Sequence, residues 1–245
     1  MRKISCILLS VTIVLLIVLI AEIKLFSSEK SDKAWAYAVE NVICIGDSLT
    51  SGSYLGGDTP GDIQQNYPWY IGRMLNADVT NAGFAGYSAS DWYSNKLDEY
   101  DFSEYDAAII WFGTNNGIDP LISTDVKPYV DSGEYAMTEM GYYCRIIDQI
   151  LSENPDMLIV LMQVFASKGD VGKTNEAIIQ IADYYGFLVV DSSSLSMDQL
   201  QLHAGMENPH FGKAGNIAVA DLLVSELNKW MEENPLRCEF NHKLK

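Results

Sequence analysis

The sequence predicts an α/β domain built as a three-layer α/β/α sandwich around a central parallel sheet. Three observations carry that prediction. Apolar runs of strand length alternate along the chain with segments of helical period, the pattern of repeated strand–helix–strand units. The strand-like runs are nearly continuous in apolar residues, as expected of parallel strands covered on both faces. Turn-forming Gly, Asn, Asp and Ser then cluster just after the strands, where open α/β sheets place their ligand sites. Right-handed crossovers between such strands put helices on both sides of the sheet.

Taken in order, Asn41 to Ile45 reads as the first strand, ending abruptly in Gly46-Asp47-Ser48. Tyr67 to Leu75 is expected to be helical, with Pro68 near its start, where the ring is tolerated. Asp78 to Thr80 reads as a short strand and Ser90 to Leu97 as a helix. Ala107 to Phe112 is an apolar run of strand length. Gly133 to Leu151 carries Met137, Met140, Cys144, Ile147 and Leu151 at helical spacing. Leu158 to Val164 is a continuous buried strand, and Asn175 to Tyr185 a helix stopped by Gly186. Phe187 to Val190 is the last strand and Gly212 to Met231 the closing amphipathic helix. Between them, Ile118 to Ser132, with Pro120 and Pro128, reads as a long loop near the sheet edge. Such loops often belong to binding sites.

The chain of 245 residues begins with Arg2 and Lys3 followed by an apolar run from Ile4 to Ala21. Basic residues ahead of an apolar run predict an amino terminus inside and the remainder outside. Residues 1–25 therefore read as a signal anchor and 26–38 as a polar tether. Residues 39–236 form the folded domain and 237–245 a tail. Ala36-Tyr37-Ala38 resembles a signal cleavage site but lies well beyond the apolar run, so secretion after cleavage is the alternative to a single-pass anchor. The formal net charge of −17 argues against a nucleic-acid partner. Neither Cys6, in the anchor, nor Cys44, in the first strand, suits a framework disulfide. Cys144 and Cys238 are expected to be reduced, with pairing as the alternative. No C-x-x-C motif or histidine cluster suggests a structural zinc site.

Four separated blocks carry the chemistry: Gly46-Asp47-Ser48, Asn81-Ala82-Gly83-Phe84-Ala85-Gly86, Gly113-Thr114-Asn115-Asn116 and Glu207-Asn208-Pro209-His210. The first three follow successive strands and the fourth precedes the last helix. In order and spacing they resemble the SGNH/GDSL hydrolase superfamily, which implies a flavodoxin-like fold and an esterase or lipase activity. Carried over residue by residue, the resemblance makes Ser48 the nucleophile and His210 the base. It makes the backbone N–H groups of Ser48 and Gly86, with the Asn115 side chain, the oxyanion hole. The glycine five residues after the histidine, Gly215, matches the family pattern. The family places Asp three residues before the histidine, and this chain has Glu207, which either orients His210 or leaves a Ser–His dyad. Asn116 stands where the family usually has Asp.

These residue types suit acyl transfer, which needs a nucleophile, a base, an orienter and donors for the developing oxyanion. No metal or organic cofactor is required. The expected substrate is a small acyl ester or an acylated glycan, with Tyr54, Trp69, Tyr87, Trp92 and Tyr93 as aromatic candidates for the rim. The alternatives are a glycan O-acetyltransferase using the same residues and a non-catalytic binding module. Two segments imitate other sites. Ser167 to Thr174 ends in Gly-Lys-Thr like a phosphate-binding loop but lacks its leading glycine. Gly86-Tyr87-Ser88-Ala89-Ser90 imitates a nucleophile elbow, with Asp191 and His210 following in the appropriate order.

Overall fold

The apolar run at Asn41–Gly46 forms strand β1, buried along all but its first residue. It pairs in parallel with β2 (Asp78–Gly83) on one side and with β3 (Ala107–Trp111) on the other. Strands β4 (Leu158–Met162) and β5 (Leu188–Val190) continue the sheet in parallel, giving the order β2-β1-β3-β4-β5. This is the flavodoxin-like strand order, and the chain reverses its direction of travel between β1 and β3. The structure, a computed structural model, describes residues 39–52, 65–119, 126, 130–131, 137–165, 171–195, 210 and 212–234.

Alternation along β1 splits the interior into two cores. Ile43 and Ile45 point to one face, with Ala108, Ile110, Ile159 and Leu161 of the neighbouring strands. That face is covered by α3 (Ala89–Lys96), α4 (Glu139–Glu153) and α5 (Gly172–Tyr185). Val42 and Cys44 point to the other face, with Ile109, Trp111, Val160 and Met162. There α2 (Tyr67–Leu75) and α6 (Lys213–Glu233) pack, together with Leu49 of α1 (Ser48–Ser51). The result is the expected three-layer sandwich.

Element by element, the differences from the sequence reading have local causes. Helix α2 has the expected bounds, with Asn66 capping it and proline in its first turn. Strand β2 runs beyond Thr80 because Asn81, Ala82 and Gly83 pair with Cys44, Ile45 and Gly46. It is a half-exposed edge strand, so its hydrophobic signal is weak and its end resembles a turn. Helix α4 starts only at Glu139, where Thr138 accepts the Gly141 N–H, and Met137 lies before it, 77% exposed. Of the expected loop from Ile118 to Ser132 only residues 118–119, 126 and 130–131 are described, and Ile118, Val126 and Val130 are buried in the core. Cys44 and Cys144 are buried free thiols, and Cys238 lies outside the described residues. Among the described residues no helix is long and apolar enough to cross a membrane; the expected anchor and tether lie outside them.

Trp92 does not serve as a rim residue. It is fully buried, stacked on Tyr100 with ring centroids 5.7 Å apart, and its indole N–H donates to the Ala82 carbonyl at 2.9 Å. An aromatic side chain on a short helix beneath an edge strand is drawn inward by the area it removes from water. Replacing Trp92 with Ala is expected to cost about 3–5 kcal/mol of stability, read as a fall in the urea midpoint at unchanged slope.

Candidate active site

Three strands end level at one edge of the sheet. Gly46 stands opposite Gly83 of β2 on one side and Trp111 of β3 on the other. The Phe84 N–H donates to the Gly46 carbonyl at 3.0 Å, carrying the β1–β2 pairing one step further. The segments that follow these strands therefore leave the sheet side by side, at the switch point where open α/β folds hold their ligands.

After β1 the chain turns at once into the four-residue helix α1, which Ser48 begins. Asp47 is its N-cap: its Oδ1 accepts the Leu49 N–H at 2.9 Å. Gly52, at φ 66°, closes the turn in the left-handed region that glycine tolerates. A helix this short needs outside support. Part of it comes from Asn81, whose Nδ2 donates to the Thr50 carbonyl at 3.0 Å while its Oδ1 accepts the Gly83 N–H at 3.0 Å. The first turn of a helix leaves N–H groups without intrahelical partners, and the Ser48 N–H is one of them.

His210 meets Ser48 across a sequence separation of 162 residues, with Nε2 and Oγ 2.8 Å apart. Both residues are buried, at 5% exposure for Ser48 and 6% for His210. A serine hydroxyl in hydrogen-bond contact with an imidazole is the geometry that proton abstraction requires. Glu207, the expected orienter, lies outside the described residues, as does the rim candidate Tyr54.

The remaining two blocks are tied to each other. Gly86, at φ 81°, lies exposed in the turn after β2, and its N–H makes no hydrogen bond among the described residues. Asn115 follows β3 and donates through Nδ2 to the Tyr87 carbonyl at 3.0 Å, which ties it to the residue after Gly86. A primary amide has two N–H bonds, so one donor remains for a ligand. The Asn115 loop is sharply turned: Gly113, Asn116 and Gly117 all have positive φ. Asn116 sits at φ 64°, a region where Asn and Asp are far better tolerated than most side chains. Thr174 of α5 braces the loop by accepting the Ile118 N–H at 3.0 Å.

Both imitations are thereby explained. The Gly-Lys-Thr sequence opens α5, and its threonine hydroxyl serves the Asn115 loop; residues 166–170 lie outside the described residues. Ser88 is the N-cap of α3 in a capping box with Asp91, its hydroxyl 3.0 Å from the Asp91 carboxylate. The elbow is an imitation, because the imidazole contact belongs to Ser48. Sequence reasoning did not single out Asn81 or Thr174 as supports. Side-chain amides and hydroxyls that bond to distant backbone leave no periodic trace.

Electrostatics single out Asp47. It is fully buried beside Ser48, and that burial pushes its carboxyl up from 3.8 to about 7, against the opposing pull of the Leu49 N–H and the Thr114 side chain. A purely buried carboxyl of this kind favours its neutral form.

This sheet order, with a buried serine–imidazole contact at its switch point, defines an α/β serine hydrolase of three-layer type. Residues 44–217 match the GDSL-like lipase/acylhydrolase family, and the chain belongs to that family. Its general activity is therefore ester hydrolysis of the esterase and lipase type. Solved structures show the same fold. One is a possible lipase from Chitinophaga pinensis DSM 2588, with a TM-score of 0.57 at 17% identity, covering 80% of this chain and 99% of that one. Another is the acetylxylan esterase Axe2 from Geobacillus stearothermophilus, with a TM-score of 0.53 at 19% identity, covering 76% and 93%. A third is a family 3 carbohydrate esterase from Clostridium thermocellum, with a TM-score of 0.55 at 14% identity, covering 78% and 98%. Comparison with curated proteins gave no match.

Two outcomes are expected at this site. An acid whose folded pKa lies above its unfolded value binds its proton more tightly when folded. Its stabilising contribution is therefore full below about pH 3.8 and is lost as pH rises towards about 7. Asp47→Asn keeps the acceptor for Leu49 but does not ionise, so its melting temperature should gain on that of the parent across this window. A constant difference between the two would contradict the burial argument. The second outcome concerns glycine. A Cβ on Gly83 would lie 2.3 Å from the Ser51 nitrogen and 2.7 Å from the Thr50 carbonyl carbon, so backbone must move. A Cβ on Gly86 would meet nothing within 4 Å. Gly83→Ala should displace α1 and abolish reaction at Ser48, whereas Gly86→Ala should cost only the about 1–2 kcal/mol of a left-handed alanine. Denaturation and ester hydrolysis measured side by side separate the two.

Proposed function

We propose that this chain is an extracytoplasmic serine esterase that hydrolyses a small O-acyl ester, with an O-acetyl group on carbohydrate as the substrate. The observation that carries the reading is the 2.8 Å contact between Ser48 Oγ and His210 Nε2. In this mechanism His210 accepts the Ser48 proton as Oγ attacks the carbonyl carbon. The oxyanion is received by the N–H groups of Ser48 and Gly86 and by the second N–H of Asn115. His210 then returns the proton to the departing alcohol, leaving an acyl group on Ser48, and water releases it by the reverse sequence. Glu207 is assigned the orientation of His210.

The carbohydrate assignment draws support from two sources. Two of the similar folds are an acetylxylan esterase and a carbohydrate esterase. Half-buried Phe84 and Tyr87, with ring centroids 5.3 Å apart, flank the Gly86 turn, where aromatic faces suit a sugar ring. The basic–apolar amino terminus, from Arg2 to Ala21, supports a membrane-anchored domain outside the cytoplasm.

The test is an ester panel on the fragment beginning near Ala34, including acetylated xylan and p-nitrophenyl acetate, with a fluorophosphonate probe of the serine. Ser48→Ala should abolish both hydrolysis and labelling. Asn115→Ala should lower kcat by about 10²–10³-fold, the usual loss for one oxyanion donor. Full hydrolysis by the Ser48 variant, or a parent protein inert to the probe, would refute the assignment. Acetyl transfer to an added glycan in preference to water would replace hydrolysis with the transferase reading.

A further inference from the structure

The nucleophile and the base arrive on two segments that share no local structure. Ser48 rides on a single helical turn, and His210 precedes the long helix α6. Both are linked to the start of α2, Ser48's helix through Asn66 and Tyr67 and the His210 segment through the Tyr67 N–H. On the nucleophile side, Asn66 Nδ2 lies 3.3 Å from the carbonyls of both Thr50 and Ser51, the free end of α1. The Tyr67 hydroxyl adds a 3.0 Å hydrogen bond to the Thr50 hydroxyl, and burial pushes this phenol well above its usual range, so it stays neutral. On the base side, the Tyr67 N–H donates to Asn216 Oδ1 at 2.8 Å. Asn216 Nδ2 in turn donates to the carbonyl of Gly212 at 3.0 Å, two residues beyond His210.

Thr50, Asn66, Tyr67 and Asn216 are all buried, at 2% exposure or less. Buried amides are retained only when their donors and acceptors are satisfied, and here each amide bonds to two different backbone segments. We propose that Asn66 and Asn216 are positioning residues that set the Ser48–His210 contact through the N-terminus of α2. The role is additional to the helix cap that Asn66 Oδ1 provides to the Trp69 N–H at 3.1 Å. It rests on the hydrolase reading only for its kinetic consequences. Helix α2 is suited to such a bracket because Ile71 and Leu75 lock it into the same apolar core as α6 and Leu49.

Aspartate separates positioning from capping. Asn66→Asp keeps the acceptor for Trp69 but loses the donor and turns a carboxylate towards two carbonyls. Asn216→Asp likewise keeps the acceptor for Tyr67 and loses the bond to Gly212. Both should lower kcat for p-nitrophenyl acetate and the rate of fluorophosphonate labelling at least about tenfold, with KM within about twofold, because misplacement of about 1 Å costs up to about 10²-fold. Ile147→Val, which loosens the core of the opposite layer without touching α2 or a bracket bond, should leave kcat unchanged. Asn66→Ser, a neutral cap too short to reach α1, gives the same test should the aspartate variants unfold by circular dichroism.

A second readout does not need turnover. The chain has three histidines, so replacing His203 and His242 with Gln leaves His210 as the single imidazole signal by NMR. Its titration should shift in the Asn66 and Asn216 variants relative to the parent. Unchanged kcat together with an unchanged His210 titration would overturn the proposal and leave Asn66 as a cap alone. A parent protein that neither labels nor hydrolyses esters would instead refute the hydrolase reading, with the titration still deciding the bracket.

Discussion

The site depends on the close approach of backbone at the ends of β1 and β2. Gly46 and Gly83 lie opposite each other in register, and α1 folds back directly onto them. A Cβ at Gly46 would fall 2.2 Å from the Thr50 hydroxyl and 2.7 Å from the Trp111 carbonyl. With hydrogen in place of a methyl group at both positions, a single helical turn can sit on the sheet edge. Parallel strands all point one way, so the loops after β1, β2 and β3 have no choice but to emerge together. From that register follows the side-by-side departure of the segments that carry Ser48, Gly86 and Asn115.

The two cores then divide the work of holding these loops. Leu49 belongs to the apolar cluster of α2 and α6, so the helix of Ser48, the start of α2 and the helix after His210 share one layer. The Asn115 loop is instead braced from the opposite layer, by Thr174 at the start of α5. A site straddling both layers uses the sheet as its fixed reference. Tight packing on either side resists displacement of any one loop relative to the others.

Neutral amides join the backbone segments around α1, α2 and α6. Asn66 and Asn81 each accept a nearby backbone N–H and donate to the carbonyls at the end of α1, while Asn216 accepts the distant Tyr67 N–H and donates to Gly212 at the cap of its own helix. Asn175 does the same in miniature, accepting from and donating to Val164 at the end of β4. A carboxamide offers donor and acceptor at one position without ionising. In a chain carrying a formal charge of −17, carboxylates in those places would add repulsion and present no donor. The buried Asp47, pushed towards neutrality, shows what burial does to an acid here.

Much of this was legible in the amino-acid sequence. The period of apolar residues located the central strands and α2, because burial on one or both faces is written directly into side-chain choice. The four spaced blocks named Ser48, Gly86, Asn115 and His210 through their resemblance to a known family. Edge strand β2 was under-read, since a half-exposed strand ending in Asn-Ala-Gly has the composition of a turn. Trp92 is a rim candidate by composition and a core residue in the fold, because an aromatic side chain carries no label for inside or outside and its stacking on Tyr100 decides it. Only the folded chain could decide that His210 reaches Ser48 rather than Ser88, and that Asn66 and Asn216 stand between them. Those contacts join residues far apart in sequence, and a bond formed by bringing distant backbone together has no periodicity from which to be read.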